Sequence, residues 1–200
     1  MAVELKKGQK VSLEKKSNNL GEIVVNLNWN QGEPKKKGFL QSIFGSKNVD
    51  LDLACLFELK DGRKSAIQAL GNQFGNLKEE PYIALDGDDR TGEQTGGENL
   101  RINGNMVAKI KRILIFSFIY EGVANWKQVD GIVTVKYPGN EDIIVRMDEY
   151  ATTERLCAIA LFENVEDRTF SVEKNIQFFR SQTDMDKAYN WGLKWTPGRK

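Results

Sequence analysis

Asp50-Leu-Asp-Leu-Ala-Cys-Leu-Phe-Glu-Leu59 is the stretch of sequence that indicates the fold most clearly. Every odd position in it, from Leu51 to Leu59, carries an apolar side chain, whereas the even positions begin with Asp50 and Asp52. Successive side chains of a strand point to opposite faces. The alternation therefore predicts a β-strand that has one core face and carries both aspartates on the opposite face.

Apolar patterns of the same kind recur on both sides of this strand. Phe170–Phe178 and Val133–Tyr137 alternate with a period of two, and Ile113–Tyr120 and Leu156–Phe162 are apolar at both parities, as expected of central strands covered on both faces. Further strands are predicted at Lys10–Leu13, Glu22–Trp29, Tyr82–Asp86, Asn99–Ile102 and Asp142–Met147. A helix is predicted at Thr183–Trp191, capped by Thr183 or Asp184.

Many short strands separated by glycine-containing turns predict an all-β fold, a two-sheet antiparallel β-sandwich with minor short helices. We expect residues 1–200 to form a single domain, in which residues 33–48 are an inserted loop and residues 183–200 form a C-terminal helix and tail.

The charge and the histidine content restrict the function. Lys and Arg number 29, Asp and Glu number 28, and the net charge of +1 predicts no attraction to nucleic acid. The sequence contains no histidine, which excludes Ser-His-Asp and Cys-His nucleophile systems. Cys55 and Cys157 both lie in apolar runs, so buried free thiols are favoured over a disulfide. Because the N-terminal residues form no apolar signal core, we expect a cytoplasmic protein.

An acidic, glycine-rich stretch carries the chemistry. Asp86-Gly-Asp-Asp-Arg-Thr-Gly-Glu93 and the following Gly97-Glu-Asn99 contain five carboxylates and almost no apolar residue. Carboxylates at this density repel one another unless a cation neutralises them, and oxygen-rich loops with glycine at the bends suit calcium. The spacing is not that of an EF-hand, since Arg90 and Gly97 stand at loop positions 5 and 12. The alternative is a solvated acidic hairpin connection.

The order of four motifs resembles the TerD superfamily of bacterial tellurium-resistance and stress-response proteins. These motifs are Leu5-Lys-Lys-Gly-Gln-Lys-Val-Ser-Leu13, Val25-Asn-Leu-Asn-Trp29, Asp50-Leu-Asp52 and Gly87-Asp-Asp-Arg-Thr-Gly-Glu93 with Gly97-Glu98. Trp191-Gly-Leu-Lys-Trp195 and the loop from Gly38 to Gly45 look most like the TerA branch of that superfamily.

The resemblance implies a calcium-binding β-sandwich with no catalytic residues, which works in tellurite resistance together with other tellurium-resistance and stress proteins. It implies one or two calcium ions, whose ligands in this sequence would be Asp50, Asp52, Asp88, Asp89, Glu93 and Glu98, with Asn99 and the carbonyl of Thr91 as less secure members. The sequence departs from the pattern of this superfamily at two places, and both departures remove negative charge. Gly97 and Asn99 flank a single Glu98, and Asn30 follows Trp29. One of two sites is therefore expected to be weakened or absent.

Two other features have competing interpretations. The inserted loop places Phe39, Leu40, Ile43 and Phe44 on one face of a short helix beside three lysines, so residues 35–45 could dock on the anionic inner membrane or on a partner protein. The alternative is a surface loop that tucks these residues onto the sandwich. Trp126, Trp191 and Trp195 could stack on a ligand, but core or end-cap positions are favoured.

Two rival functions remain open on the sequence. The acidic loop could serve a metal-dependent hydrolase or phosphoryl-transfer enzyme, because paired carboxylates can act as acid and base. The chain could also bind a small ligand such as a nucleotide, although no dinucleotide fingerprint surrounds Gly71, Gly75 or Gly87. The oligomeric state is not predicted.

Overall fold

Two β-sheets make up the part of the chain that the structure describes. The computed structural model describes residues 2–14, 19–29, 50–87, 97–121, 126–147 and 152–196, without the side chains of two residues within them (121 and 128). Within these ranges the strands are β1 (Val3–Glu4), β2 (Lys10–Ser12), β3 (Glu22–Asn28), β4 (Asp50–Leu59), β5 (Lys64–Ile67), β6 (Gly75–Asn76), β7 (Ile83–Leu85), β8 (Glu98–Asn103), β9 (Ile110–Glu121), β10 (Ile132–Lys136), β11 (Ile143–Arg146), β12 (Leu156–Val165) and β13 (Thr169–Phe179). The helices are α1 (Trp126–Val129), α2 (Gln182–Ala188) and a 3₁₀ helix, Gly104–Lys109.

The strands are divided between a seven-stranded and a six-stranded sheet. The first has the order β1-β11-β10-β3-β8-β7-β6, and the second has the order β2-β13-β12-β9-β4-β5. All pairs of neighbouring strands are antiparallel except β1 and β11, which run parallel. The predicted all-β sandwich is confirmed, and the parallel pair at the edge is the one departure from the antiparallel expectation.

The inner faces of the two sheets enclose the main core. Leu53, Cys55 and Phe57 of β4 point into it, together with apolar side chains from both sheets. The outer face of the six-stranded sheet is also apolar, since Leu56 and Phe116 lie there in a second cluster. All ten residues of β4 are therefore buried, whereas the sequence pattern indicated only one core face.

A C-terminal clamp, residues 181–196, covers that second face. The Trp191 indole donates from Nε1 to the carbonyl of Phe57 at 3.1 Å, and the Arg112 guanidinium lies 3.9 Å from the centre of its ring. The Asp186 carboxylate accepts hydrogen bonds from the backbone of Gly192 and Leu193, which fixes the turn after α2. Because the clamp covers it, the outer face of β4 is buried in a second hydrophobic cluster.

The predicted strands all form, with ends that differ by a few residues. The helix predicted at Thr183–Trp191 is α2, which begins one residue earlier because Ser181 is its cap, its Oγ accepting from the backbone N–H of Asp184. It ends three residues earlier, at Ala188, because the chain turns at Tyr189 and Asn190 to bring Trp191 onto the sheet. The sequence pattern missed β1, β5 and β6, whose two to four residues are too few to show a period.

The cysteine and tryptophan predictions are also settled. Cys55 and Cys157 are free, fully buried thiols on two strands that flank β9. Trp126 and Trp191 are buried rather than presented to a ligand, and Trp195 packs at the margin of the second cluster. None of the described helices has the length and apolar character needed to cross a bilayer.

Candidate metal centre

The strand pairing gathers several predicted ligands at one end of the sandwich. Glu98 begins β8 and pairs with Leu27, near the end of β3. Asp50 begins β4 and pairs with residue 121 at the end of β9. The starts of β4 and β8 face each other across the core, where the two sheets meet. We call the end that carries Asp50, Asp52 and Glu98 the acid end.

A direct contact joins the two sheets at the acid end. The Glu98 carboxylate accepts, through Oε2, a hydrogen bond from the backbone N–H of Leu53 at 2.5 Å. β5 pairs with β4 only from Cys55 onward, so this N–H lies on a part of β4 that β5 does not cover. Because Leu53 directly follows Asp52, the structure brings the first acidic motif and the far end of the acidic loop together.

The carboxylates at the acid end are withdrawn from water. Asp50 is 7% exposed, Asp52 is 0% exposed and Glu98 is 3% exposed. Removing an ion from water carries an effective penalty of several kcal/mol, which opposite charge and hydrogen bonds must offset. Positive charge is therefore expected close to these three side chains.

Gly97 explains how the chain enters β8 so close to β3. Its φ angle is +65°, and a Cβ atom at this position would overlap the carbonyl oxygen of Leu27. Any other residue would be strained in its backbone and would push β8 away from β3. The glycine thus fixes the position from which the Glu98 side chain reaches Leu53.

Asn99 does not join this group. It follows Glu98 on a strand, so its side chain lies on the outer face of the seven-stranded sheet, where its Oδ1 accepts from Nδ2 of Asn26 at 2.8 Å. Four other predicted ligands, Asp88, Asp89, Thr91 and Glu93, lie outside the described residues, as does the inserted loop at residues 33–48. Among the residues that are described, no group of three or more His, Cys, Asp or Glu side chains is close enough together to hold a metal ion.

Asp86, the first acid of the loop, is engaged elsewhere. The Arg101 guanidinium donates to it from Nε at 2.6 Å and from Nη2 at 2.6 Å, and donates from Nη1 to Glu22 at 2.5 Å. The hydrogen bonds that Arg101 donates to Asp86, and then the one to Glu22, raise its pKa, so that it stays charged. Sequence reasoning missed Arg101. In the sequence, Arg101 is marked only as an isolated cation on a predicted strand. Its partners depend on the register of β3, β7 and β8, which the sequence does not show.

The donor chemistry of the acid end fits a hard divalent cation. Asp50, Asp52 and Glu98 offer carboxylate oxygens, the donors that calcium and magnesium prefer. Glu98 uses Oε2 for Leu53 and has a second carboxylate oxygen, Oε1. Sulfur ligands are excluded, because burial raises the pKa of both Cys55 and Cys157 and both thiols point into the main core.

Comparisons with known proteins agree with this architecture. The chain is 48% identical over 191 residues to tellurium resistance protein TerA from Alcaligenes sp, covering 95% of the chain and 56% of that protein, so it spans about half of that relative's length. It is 27% identical over 183 residues to stress response protein SCP2 from Bacillus subtilis (strain 168), covering 88% of the chain and 85% of that protein.

A solved structure has the same fold, and a family model matches most of the sequence. The crystal structure of a homologue of telluride resistance protein TerD from Streptomyces coelicolor A3(2) matches with a TM-score of 0.57 at 17% identity, covering 84% of this chain and 95% of that one, which supports the fold alone. The model of the TerD domain matches residues 1–172. The family model and the match to TerA show that the chain belongs to the TerD domain family of tellurium-resistance and stress-response proteins.

Proposed function

We propose that this chain is a calcium-binding, non-enzymatic protein of the tellurite and stress response. The proposal rests on one observation above the others, the burial of Asp50, Asp52 and Glu98 at the acid end. Burying three carboxylates at one end of the sandwich is costly, and a bound divalent cation would offset part of that cost beside their partners in the protein.

The cation would be held from both sheets. Asp50 and Asp52 would contribute from β4, and Glu98 from β8. The remaining oxygens would come from residues 88–93, as the family resemblance implies, because calcium takes six to eight oxygen ligands. Binding would then join the two sheets at a point where Glu98 already links them through Leu53.

Asp86 is excluded from the proposed ligand set by the three hydrogen bonds that it accepts from Arg101. Asn99 is excluded by its position on the opposite face of β8. The loop therefore has fewer donors than its composition suggests, which favours a single calcium ion over two.

A binding role is favoured over redox chemistry. A thiol reacts as its thiolate, and burial holds the pKa of Cys55 and Cys157 above its usual range. Tellurite reduction at either sulfur would need the core to open. The names of its relatives refer to tellurium resistance and to the stress response. We therefore propose that this chain contributes to these processes by binding, in assembly with other tellurium-resistance and stress proteins. We propose that it does so in the cytoplasm.

Thermal unfolding in calcium and in chelator tests the proposal. A ligand that binds only the folded state stabilises it by about 2.7 kcal/mol at 100 times its dissociation constant. We expect calcium to raise the melting temperature of the wild type, and Glu98→Gln and Asp52→Asn to reduce that shift. Glu166→Gln is the matched control, since Glu166 is exposed at the turn between β12 and β13, at the opposite end.

An unchanged melting temperature of the wild type in excess calcium would disprove calcium binding. Equal calcium responses of Glu98→Gln and Glu166→Gln would disprove the location at the acid end. Magnesium, tested alongside, separates a calcium site from a site for any divalent cation, because magnesium demands a smaller octahedral cage.

A further inference from the structure

Lys174 is a lysine in the interior of β13, and it is only 6% exposed. Val172 and Ile176, two positions away on either side, lie in the main core, and so does Ala160, its partner on β12. Because alternate residues of a strand share a face, the Lys174 side chain leaves β13 on the core side. Lysines are almost never buried to this extent unless they are paired.

The Lys174 ammonium has no such pair within the part of the chain that the structure describes. No hydrogen bond or ion pair joins its Nζ to another residue there. The preceding residue, Glu173, lies on the opposite face beside Leu161. Glu163 is already paired with Lys10, at 2.6 Å. The ammonium therefore lacks the acceptor that its burial requires.

The strand is irregular immediately after Lys174. Lys174 faces Ala160 on β12 and Gln177 faces Ala158, so two residues of β13 lie opposite a single residue of β12. One of these two, Ile176, has a φ angle of +43°, which is exceptional for a β-branched residue. β-Bulges redirect the side chains of a strand and are frequent beside functional sites, as is backbone strain of this kind. The bulge therefore singles out the stretch of β13 that carries Lys174.

Two further lysines, Lys6 and Lys7, lie on the turn between β1 and β2, and this turn is fastened to Lys174. The Gly8 N–H donates to the Lys174 carbonyl at 2.7 Å, and the Lys174 N–H donates to the Gln9 carbonyl at 3.1 Å. Gly8 has a φ angle of +75°, a conformation that favours glycine. Lys6 and Lys7 are exposed, and neither ammonium forms an ion pair with a described residue. The main-chain contacts thus bring three lysines without carboxylate partners to one turn.

We propose that Lys174 binds an oxyanion at this turn, together with Lys6 and Lys7. An anionic oxygen would supply the acceptor that the Lys174 ammonium lacks, and hydrogen bonds between charged groups are stronger than those between neutral ones. Three ammonium groups on one turn and the strand beside it favour a small ligand with several oxygens, such as phosphate or tellurite. The site is distinct from the acid end, because β12 and β9 separate β13 from β4 in the six-stranded sheet.

Calorimetric titration of the full chain tests the proposal, with potassium phosphate and sodium tellurite as separate probes. Chloride holds the ionic strength constant, and a chelator is present throughout so that calcium takes no part. We expect the wild type to bind an oxyanion, and Lys174→Met to bind it at least about ten-fold more weakly, as the loss of a charged hydrogen bond predicts. Lys7→Met should weaken binding by less, because salt screens an exposed charge more than a buried one.

Lys187→Met is the matched control. Lys187 is exposed on α2, in the clamp that covers the outer face of the six-stranded sheet, whereas Lys174 leaves that sheet on its inner face. We expect Lys187→Met to bind the oxyanion as the wild type does. Equal weakening by Lys187→Met and Lys174→Met would mean that the anion responds only to net charge, and would overturn the inference.

Thermal unfolding separates binding from a structural role of Lys174. Without an oxyanion, Lys174→Met should be at least as stable as the wild type, because it replaces an unpaired buried charge with an apolar side chain of similar length. The oxyanion should raise the melting temperature of the wild type and leave that of the variant unchanged. A variant that is destabilised without an oxyanion, yet binds it as the wild type does, would give Lys174 a purely structural role and overturn the inference.

A wild type that binds neither phosphate nor tellurite would also overturn it. Tighter binding of tellurite would support the site and connect it to the resistance named in the relatives, whereas tighter binding of phosphate would support it as a site for a phosphate-bearing ligand. Calcium binding at the acid end is unaffected by any of these outcomes, because the titrations contain chelator and the two sites share no residue.

Discussion

Glu98 shows how one side chain can serve the fold and a site at the same time. Its Oε2 satisfies the Leu53 N–H on an uncovered part of β4, and it carries a buried charge beside the first acidic motif. A buried donor that loses its acceptor is costly, whereas an uncharged acceptor can still satisfy it. Alanine and glutamine at this position therefore separate the two roles.

We expect Glu98→Ala to lower the free energy of unfolding by about 1–3 kcal/mol in chelator, because the Leu53 N–H loses its acceptor. Glu98→Gln should lose less, since its amide oxygen can still accept from Leu53. Urea unfolding of both variants without calcium measures the difference. Equal midpoints for Glu98→Ala and the wild type would show that the contact contributes nothing.

Glu58, near the other end of β4, makes a contribution to the free energy of unfolding that depends on pH. It accepts from Nζ of Lys111 at 2.7 Å and from Nε of Arg112 at 2.6 Å, with Nζ of Lys64 at 3.8 Å. Burial by itself raises the pKa of Glu58, but the hydrogen bonds from Lys111 and Arg112, together with their charges, outweigh it and hold the pKa below its usual value.

A carboxyl group whose pKa is lower in the folded state stabilises the protein at pH values above its pKa in the unfolded state, which is about 4.3 for a glutamate. This contribution to stability is lost as the pH falls through the pKa of the folded state. We therefore expect Glu58→Gln to be less stable than the wild type at pH 7, with a gap that narrows as the pH falls below about 4.3. Urea unfolding across that range measures the gap. Glu163→Gln, which breaks only the exposed pair with Lys10, should show a small gap throughout. A constant gap for Glu58→Gln would contradict the expectation.

At the scale of elements, β4 is the strand that organises the molecule. One face lies in the main core and the other lies beneath the C-terminal clamp, so both of its faces are buried. The clamp is itself held by Arg112, which donates to the carbonyls of Tyr189 and Asn190 and stacks on Trp191. Glu58 orients Arg112, so the charged cluster and the apolar cover support each other.

Trp191→Ala should destabilise the protein by about 3–5 kcal/mol, because it removes the largest fully buried side chain of the clamp and leaves a cavity over Leu56 and Phe116. Denaturant unfolding gives the value directly. Lys194→Ala, an exposed position in the same segment, is the control and should change stability by less than about 0.5 kcal/mol. Similar midpoints for the two variants would mean that the clamp adds little to stability.

At the scale of the whole molecule, the sandwich isolates both thiols from water. Cys55 and Cys157 point into the core between the sheets, and no reagent can reach them unless the sheets separate. Their reactivity therefore reports on global opening rather than on local exposure.

We expect a thiol-specific chromogenic reagent to label neither cysteine of the native protein on the timescale of minutes, and to label both once denaturant is added. Burial raises the pKa of each thiol, so raising the pH to about 9, near the ordinary thiol pKa, should not speed the native reaction appreciably. Rapid labelling of the folded chain would contradict the burial and would reopen a thiol-based role in tellurite resistance.

The two-sheet fold and most of its strands are readable from the sequence, because the alternation of apolar residues in β4, β10 and β13 follows directly from strand geometry. The composition of the acidic loop likewise indicates its chemistry. Which residues belong to the candidate site is harder to predict from the sequence. Asp86 and Asn99 belong to the same acidic, oxygen-rich stretch as Glu98, yet one is taken by Arg101 and the other faces Asn26.

By itself, the sequence determined where strands form, that two thiols are buried and that acidic oxygens collect near residues 86–99. Only the tertiary structure decided that Glu98 meets Leu53, 45 residues away, that Arg101 takes Asp86, and that Trp191 covers the far face of β4. Local periodicity is imposed by the covalent geometry of neighbouring residues, whereas these contacts depend on strand register and on how the sheets pack.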